Sequence, residues 1–312
     1  MKPVSVGLIG AGFHARHVHI PALDLVPELR LAAIATSREE TAKNAAERYR
    51  VAGHSSYREL LARADIEAVV IASSTVTHVE ITRAALEHGK HVLLETPGIS
   101  NLAAARELQA LAVGRRLVAQ VGFLTRYSQS MDVLKARLDS QAPPRLFCYE
   151  YFPFLAHTYN LGLYFSGKWQ HVLAATSDAA GSSATIRFHN GDIAVVLGRS
   201  IANCSHNIER VTVSTKSFYG SVEGRTRVRI IENMGPTGVE RWSAASSGGT
   251  VHDPQPFAAQ FLENTGAAPQ LRGFAAAIRD GSPPRSTFAD MIETHRLMDE
   301  IRRVAGATGA PG

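Results

Sequence analysis

The chain has 312 residues, with 33 Lys+Arg against 28 Asp+Glu for a formal net charge of +5, two cysteines, 45% apolar residues and 20% charged ones. This composition excludes a disordered, collagen-like or disulfide-scaffolded chain, and the length suggests two domains, because single cores stop growing at about 250–300 residues. Cys148 and Cys204 stand apart with no C-x-x-C, so neither a zinc ribbon nor a disulfide framework is expected, and a reducing cytoplasm is the expected setting.

No apolar run approaches the roughly 20 residues that span a bilayer, so no membrane association is expected. The N-terminal apolar stretch is broken early by His14, Arg16, His17 and His19, and reads as a buried strand, not a signal peptide. Basic residues are scattered, with pairs such as Arg115-Arg116 and Arg302-Arg303 the tightest clusters. A small anionic molecule is therefore the expected partner, and nucleic acid is not.

Residues 1–122 alternate apolar runs with helical patterns, which predicts β-α-β units around a parallel sheet buried on both faces. Strands are expected at 4–9, 31–36, 68–72, 91–94 and 117–121, and helices at 38–49, 78–88 and 102–112. Gly89 is placed to end the second of these helices in a left-handed conformation.

Directly after the first strand comes Gly10-Ala11-Gly12-Phe13-His14-Ala15, a G-x-G-x-x-A. Gly10 permits the tight turn, Gly12 lets the backbone approach a pyrophosphate, and Ala15 keeps the helix close to the sheet. Backbone N–H groups and the helix dipole then face the anion. At the end of the second strand an NAD site usually carries a carboxylate for the ribose 2′-OH. Here Ser37 and Arg38 offer a hydroxyl and a guanidinium suited to a 2′-phosphate, which points to NADP, with NAD the alternative. A second reading of the same residues makes Ser37 the cap of the following helix, with Glu40 at the capping-box position.

From Arg145 onward strand-type segments dominate, at 146–152, 171–176, 183–189, 193–197, 209–214, 217–222 and 225–232, with Asn190-Gly191-Asp192 as a hairpin turn. Arg225, Arg227 and Arg229 alternate along the last of these and are expected on one face. Helices are expected at 257–264 and 287–305, the latter with Phe288, Met291, His295, Met298 and Ile301 on its inward stripe, followed by a frayed tail at 307–312. No His/Asp/Glu spacing, including His252-Asp253, predicts a metal site.

Several stretches in order resemble one family. Gly10-x-Gly12 leading to His19-Ile20-Pro21-Ala22-Leu23, then 68–74 with Thr77-His78, then Ala85-Leu86-Glu87-His88-Gly89-Lys90-His91-Val92-Leu93-Leu94-Glu95-Thr96-Pro97, are similar to the glucose–fructose oxidoreductase/inositol dehydrogenase/rhizopine-catabolism (GFO/IDH/MocA) family. The resemblance implies an α/β fold: an N-terminal Rossmann dinucleotide-binding domain over 1–122 and a C-terminal α+β domain over 123–312. The second domain is expected to carry a mainly antiparallel open sheet that forms a homodimer or homotetramer, and the helix at 287–305 is allowed to pack back on the first. By the same resemblance the cofactor contacts are Gly10, Gly12, Phe13, His14, Ala15, Ser37, Arg38, Ser73, Ser74, His78 and Glu95.

The family pattern is Glu-Lys-Pro, whose lysine handles the substrate proton beside the nicotinamide, whereas this chain has Glu95-Thr96-Pro97. Thr96 keeps a hydroxyl but no cation and no general acid near neutral pH. The family's Asp, four residues before a pocket His, falls on Pro153, with His157 retained and Asn160 one turn beyond. The resemblance also places an aromatic near the substrate at Tyr127, so the catalytic set it implies is Tyr127, His157 and Thr96, with Lys168 a distant substitute. Tyr127 and His157 also fit a packed, structural reading. Branches without the lysine include biliverdin reductase and thiazolinyl imine reductases, so the resemblance implies an NADP-dependent reductase of a carbonyl or imine in a small biosynthetic intermediate. Two alternatives stay open: a sugar, inositol or nucleotide-sugar dehydrogenase, and a non-catalytic NADP-binding protein.

Overall fold

The computed structural model describes residues 2–151, 155–178, 181–199, 209–232 and 258–306. Pro153, Cys204, His252-Asp253 and the tail at 307–312 lie outside them. The chain divides into two compact units, residues 1–124 with 256–292, and residues 125–255 with 293–312.

The first unit is built on a parallel six-stranded sheet in the order β3-β2-β1-β4-β5-β6. Its strands are β1 (Val4–Ile9), β2 (Leu29–Ala35), β3 (Ala52–His54), β4 (Ala68–Ile71), β5 (His91–Leu94) and β6 (Ala119–Val121). Every residue of β1 and of β4 is buried, as expected for strands covered on both faces. The crossovers run through α1 (Ile20–Asp24), α2 (Glu39–Tyr49), α3 (Tyr57–Leu61), α4 (His78–Glu87) and α5 (Leu102–Gly114). Local chemistry sets their ends. Asn101 caps α5 by accepting from the Ala104 N–H at 3.0 Å, and Ser56 caps α3 through the Arg58 N–H at 3.2 Å. Gly89, at φ 69°, closes α4, as its position predicts.

Neither β3 nor α3 is expected from the sequence, because three and five residues are too few to display a period. Close packing requires Gly53 in β3, where a Cβ would come within 2.5 Å of the Ala42 carbonyl oxygen.

The second unit holds a seven-stranded sheet, β13-β12-β11-β7-β10-β9-β8. After α6 (Gln129–Asp139) come β7 (Leu146–Tyr151), α7 (Leu155–Ser166), β8 (Trp169–Asp178), β9 (Gly181–Phe188), β10 (Ile193–Arg199), β11 (Glu209–Ser214), β12 (Phe218–Glu223) and β13 (Arg227–Glu232). All neighbours pair antiparallel except β7 with β10. Alternate residues, such as Ala184, Ile186 and Phe188 of β9 and Phe147 and Tyr149 of β7, enter one core with Met131 and Leu134 of α6 and Tyr159, Leu161 and Phe165 of α7.

Asn190 and Gly191 form the β9–β10 hairpin, with Gly191 at φ 91°. Asp192 beyond it is fully buried and takes Arg145 Nη2 at 2.7 Å and the Arg145 backbone N–H at 2.8 Å. Arg225 does not share a strand face with Arg227 and Arg229. It sits at φ 62° beside Gly224 in the β12–β13 turn and is ion-paired to Glu209, because a left-handed pair of residues reverses the chain there.

The chain then returns to the first unit. In α8 (Ala258–Asn264) and α9 (Ala267–Asp280), Leu262, Ala268, Leu271 and Phe274 join the core of Val4, Val6 and Leu8. The sequence places 258–286 with the second domain and allows the helix at 287–305 to pack on the first, because local pattern does not name a distant partner. The last helix, α10 (Phe288–Val304), contributes Met291 to the first unit, where its Sδ accepts from the Ile99 N–H at 3.2 Å. Its Leu297 and Ile301 belong to the core of the second unit.

Candidate functional site

In the first unit, successive strands lie on one side of β1 up to β3 and on the other side from β4 onward. Such a switch opens a crevice at the carboxyl ends of the strands. Four segments emerge at that edge: Gly10–Ala15 after β1, residues 36–38 after β2, residues 72–74 after β4 and Glu95–Pro97 after β5.

Gly10 has φ 105°, and a Cβ there would lie 2.4 Å from the Ala72 carbonyl oxygen, so only glycine fits. At Gly12 the space beside the backbone is open, with no heavy atom within 4 Å of where a Cβ would stand. This is a cradle a bound group can fill, which fits a dinucleotide pyrophosphate. Ala15 is fully buried against the core, as its place in the motif requires. Phe13 is 72% exposed, its ring stacked on His17 at 4.1 Å between centroids.

At the end of β2, Ser37 does not cap α2. The N-cap is Arg38 in extended conformation with no side-chain cap bond, and Thr36 Oγ1 donates to the Arg38 carbonyl at 2.9 Å. Ser37 and Arg38 are both exposed. After β4, Ser73 Oγ lies 2.9 Å from Thr77 Oγ1 and Ser74 is exposed. His78 is buried, with Nδ1 3.1 Å from the Gly98 carbonyl oxygen and Nε2 3.2 Å from that of Ser73. It ties the loops after β4 and β5 together, and so shapes the crevice from beneath.

After β5, the buried carboxylate of Glu95 gathers groups from three segments. Its Oε1 lies 2.7 Å from His19 Nε2 and 3.5 Å from His14 Nε2, and its Oε2 accepts from the Thr96 backbone N–H at 2.9 Å. A Cβ at Gly122 would meet Oε1 at 2.8 Å, so glycine is needed there to seat the carboxylate. Burial opposes ionisation of Glu95, yet hydrogen bonds from His14 and His19, and their charge, outweigh it and hold the carboxyl well below the usual carboxylate range.

The two imidazoles meet because residues Ala15–His19 form a π-helical turn, closed by the Ile20 N–H on the Ala15 carbonyl. At 3.6 residues per turn, residues five apart would point about 140° from each other, whereas an i→i+5 turn brings them to one side. That is why His19 and Gly122 are absent from the sequence-based site. Five-residue spacing is not a helical repeat, and the carboxylate is 76 positions away. The donor atoms of His14, His19 and Glu95 lie within 4.8 Å of one another, a grouping that sequence spacing did not indicate.

The remaining predicted residues belong to the second unit. Tyr127 ends the 3-10 turn Leu124–Tyr127 and is buried, as is His157 on α7. Near them, Arg126 Nη2 donates to the Asn160 carbonyl at 3.2 Å and its guanidinium lies 5.0 Å from the Tyr164 ring centre, while Asn160 Nδ2 donates to Thr294 Oγ1 at 2.9 Å. Lys168 is exposed in the turn after α7.

Residues 4–123 match the family model described as oxidoreductase family, NAD-binding Rossmann fold, GFO/IDH/MocA. Residues 4–123 therefore carry a Rossmann domain of the GFO/IDH/MocA oxidoreductase type. A relative matching nearly the whole chain is 4-carboxy-2-hydroxymuconate-6-semialdehyde dehydrogenase of Sphingobium sp. strain SYK-6, 25% identical over 95% of this chain and 97% of that one. The fold is shared with levoglucosan dehydrogenase in complex with NADH and L-sorbose, at a TM-score of 0.86 and 19% identity over 98% and 97% of the two chains. It is also shared with KijD10, a 3-ketoreductase from Actinomadura kijaniata in complex with TDP-benzene and NADP, at a TM-score of 0.77 and 22% identity over 97% and 98%. GFO/IDH/MocA members are oxidoreductases with a nicotinamide-nucleotide-binding fold, which supports an enzyme of that class here. Among the described residues, no helix is long and apolar enough to cross a membrane.

Proposed function

We propose that the protein is an NADP-dependent reductase of a carbonyl or imine in a small polar intermediate. The observation that carries the cofactor choice is the end of β2, where exposed Ser37 and Arg38 stand with no carboxylate before Glu39. Among the described residues neither side chain has a hydrogen-bond partner, so both are available to a 2′-phosphate. Gly10 and Gly12 would hold the pyrophosphate by backbone N–H groups, and Ser73 and Ser74 would flank it. A bound nicotinamide supplies the hydride.

The chain's own task is to orient the substrate and handle one proton. Thr96 offers a hydroxyl where the family resemblance places a lysine, so it orients by hydrogen bonding without supplying a charge. The reductase branches that the resemblance points to also lack the lysine, which favours reduction of an acceptor here. The 3-ketoreductase named among the structures above acts on the same acceptor class.

Arg38→Ala tests the reading. A charge-assisted bond of about 1.5–3 kcal/mol corresponds to a loss of roughly 10- to 150-fold in NADPH affinity, with NADH affinity nearly unchanged. Equal losses for the two cofactors in a fluorescence titration would remove the 2′-phosphate assignment. Binding of NADPH without turnover of any carbonyl, imine or polyol would leave the non-catalytic alternative standing.

A further inference from the structure

We propose that His14, His19 and Glu95 form a site for a divalent transition-metal ion of the zinc class. The donor set is two imidazole nitrogens and one carboxylate oxygen, all within 4.8 Å of one another. Tetrahedral zinc with ligand bonds of about 2.0–2.2 Å sets its donor atoms roughly 3.3 Å apart. The distances here, 2.7 Å from His19 Nε2 to Glu95 Oε1 and 3.5 Å from His14 Nε2 to the same oxygen, bracket that value, so small side-chain rotations admit an ion. The two rings stand at 75° to each other and aim their nitrogens at the carboxylate from different directions.

Two further features belong to a built site. The π-helical turn Ala15–His19 is what brings His14 and His19 to one side. Glu95 is fixed from behind, with Oε2 on the Thr96 N–H and Oε1 over Gly122, where a Cβ would stand 2.8 Å away. Fixed ligands of this kind tune a metal's affinity. His19 and Glu95 are buried, and His14 Nε2 is itself shielded from solvent although its side chain is 43% exposed, so the three donors converge inside the fold and leave a tetrahedral ion one further position. Three protein donors with one open position is the arrangement of catalytic, not structural, zinc.

The charge also fits. A dication on one carboxylate and two neutral imidazoles leaves a single positive charge next to Thr96, where the family resemblance places an ammonium. As a Lewis acid the ion would polarise a substrate carbonyl. That use rests on the reductase reading, whereas binding of the ion does not.

The test is a titration of chelator-treated, folded protein with zinc chloride, by calorimetry and by competition with a fluorescent zinc indicator, together with cobalt(II) absorption spectra. One ion per chain and visible d–d bands are expected. His14→Ala, which removes a part-exposed side chain outside the core, should weaken binding at least about 100-fold, the upper end of what even a supporting partner costs. His88→Ala, an exposed histidine elsewhere, should leave it unchanged. Absence of stoichiometric binding to the folded wild type, or equal affinity in His14→Ala, would overturn the site. NADPH binding is followed in the same samples: NADPH binding with no zinc binding overturns the metal site and leaves the reductase reading standing, and zinc binding with no NADPH binding does the reverse.

Discussion

The two sheets use their polar side chains in opposite ways. In the antiparallel unit, charged and polar groups close on one another: Arg145 on Asp192, Arg225 on Glu209, Asn160 on Thr294. In the parallel unit the strands are sealed in apolar side chains, and polar groups gather at the carboxyl edge, where Ser37, Arg38 and Ser74 are exposed. A parallel sheet brings strand ends and helix N-termini, with unpaired backbone groups, together at one edge, so ligand binding concentrates there. The antiparallel unit consumes its polar groups in holding its own fold together.

The largest effect expected from this contrast is on stability in the second unit. Asp192→Ala leaves Arg145 buried and unpaired, and loss of one partner of a buried pair costs about 3–5 kcal/mol. Urea unfolding followed by circular dichroism reads it. A loss under about 1 kcal/mol would mean that the ion pair does not organise the β9–β10 hairpin and that the contrast is overdrawn.

At the edge of the parallel sheet, two glycines two residues apart should behave differently. Gly10→Ala forces a side chain into φ 105° and against the Ala72 carbonyl, costing at least about 1–3 kcal/mol and abolishing dinucleotide binding. Gly12→Ala meets open space, so stability should stay within about 0.5 kcal/mol while NADPH affinity falls at least about tenfold. Unimpaired NADPH binding by Gly12→Ala would remove the pyrophosphate from this loop.

The same contrast decides what could be read without a structure. Gly10-x-Gly12 follows an apolar strand within a few residues, so its chemistry and position are local and were evident from the letters. Asn190-Gly191 and Gly89 are local in the same sense, each requiring a left-handed backbone where it stands. The Glu95 cluster is not local: it depends on a π-helical turn that no common period announces, and on a chain reversal that brings residue 19 to residue 95. Likewise α9, for which the sequence gives no helix, packs Leu271 and Phe274 into the core of β1, a long-range partnership that no local pattern names. Arg225 was misplaced because alternation of Arg with Thr, Val and Ile continues through a turn as easily as through a strand. The substrate-facing chemistry is the least readable part, since Tyr127 and His157 are buried residues whose types suit packing and catalysis equally.

The smallest effect lies inside the parallel sheet, at His91 in β5. Its Nδ1 accepts the Val118 N–H at 2.9 Å, which requires an unprotonated nitrogen, and burial lowers its pKa below the ordinary imidazole value, with the charge of Glu67 opposing in part. Because the folded-state pKa is the lower one, the unfolded chain holds more protons in the interval between that pKa and about 6.5. Stability from this group is therefore complete above pH of about 6.5 and declines as pH falls through that interval. The slope for a single proton is at most about 1.4 kcal/mol per pH unit. His91→Asn keeps an acceptor for the Val118 N–H and does not titrate. Urea midpoints of wild type and variant measured from pH 5 to 8 should converge in slope above pH 7 and separate below it, with the wild type losing stability faster. Parallel curves across the whole range would show that β5 tolerates a charge, and that the sealing of the parallel strands is less complete than their burial implies.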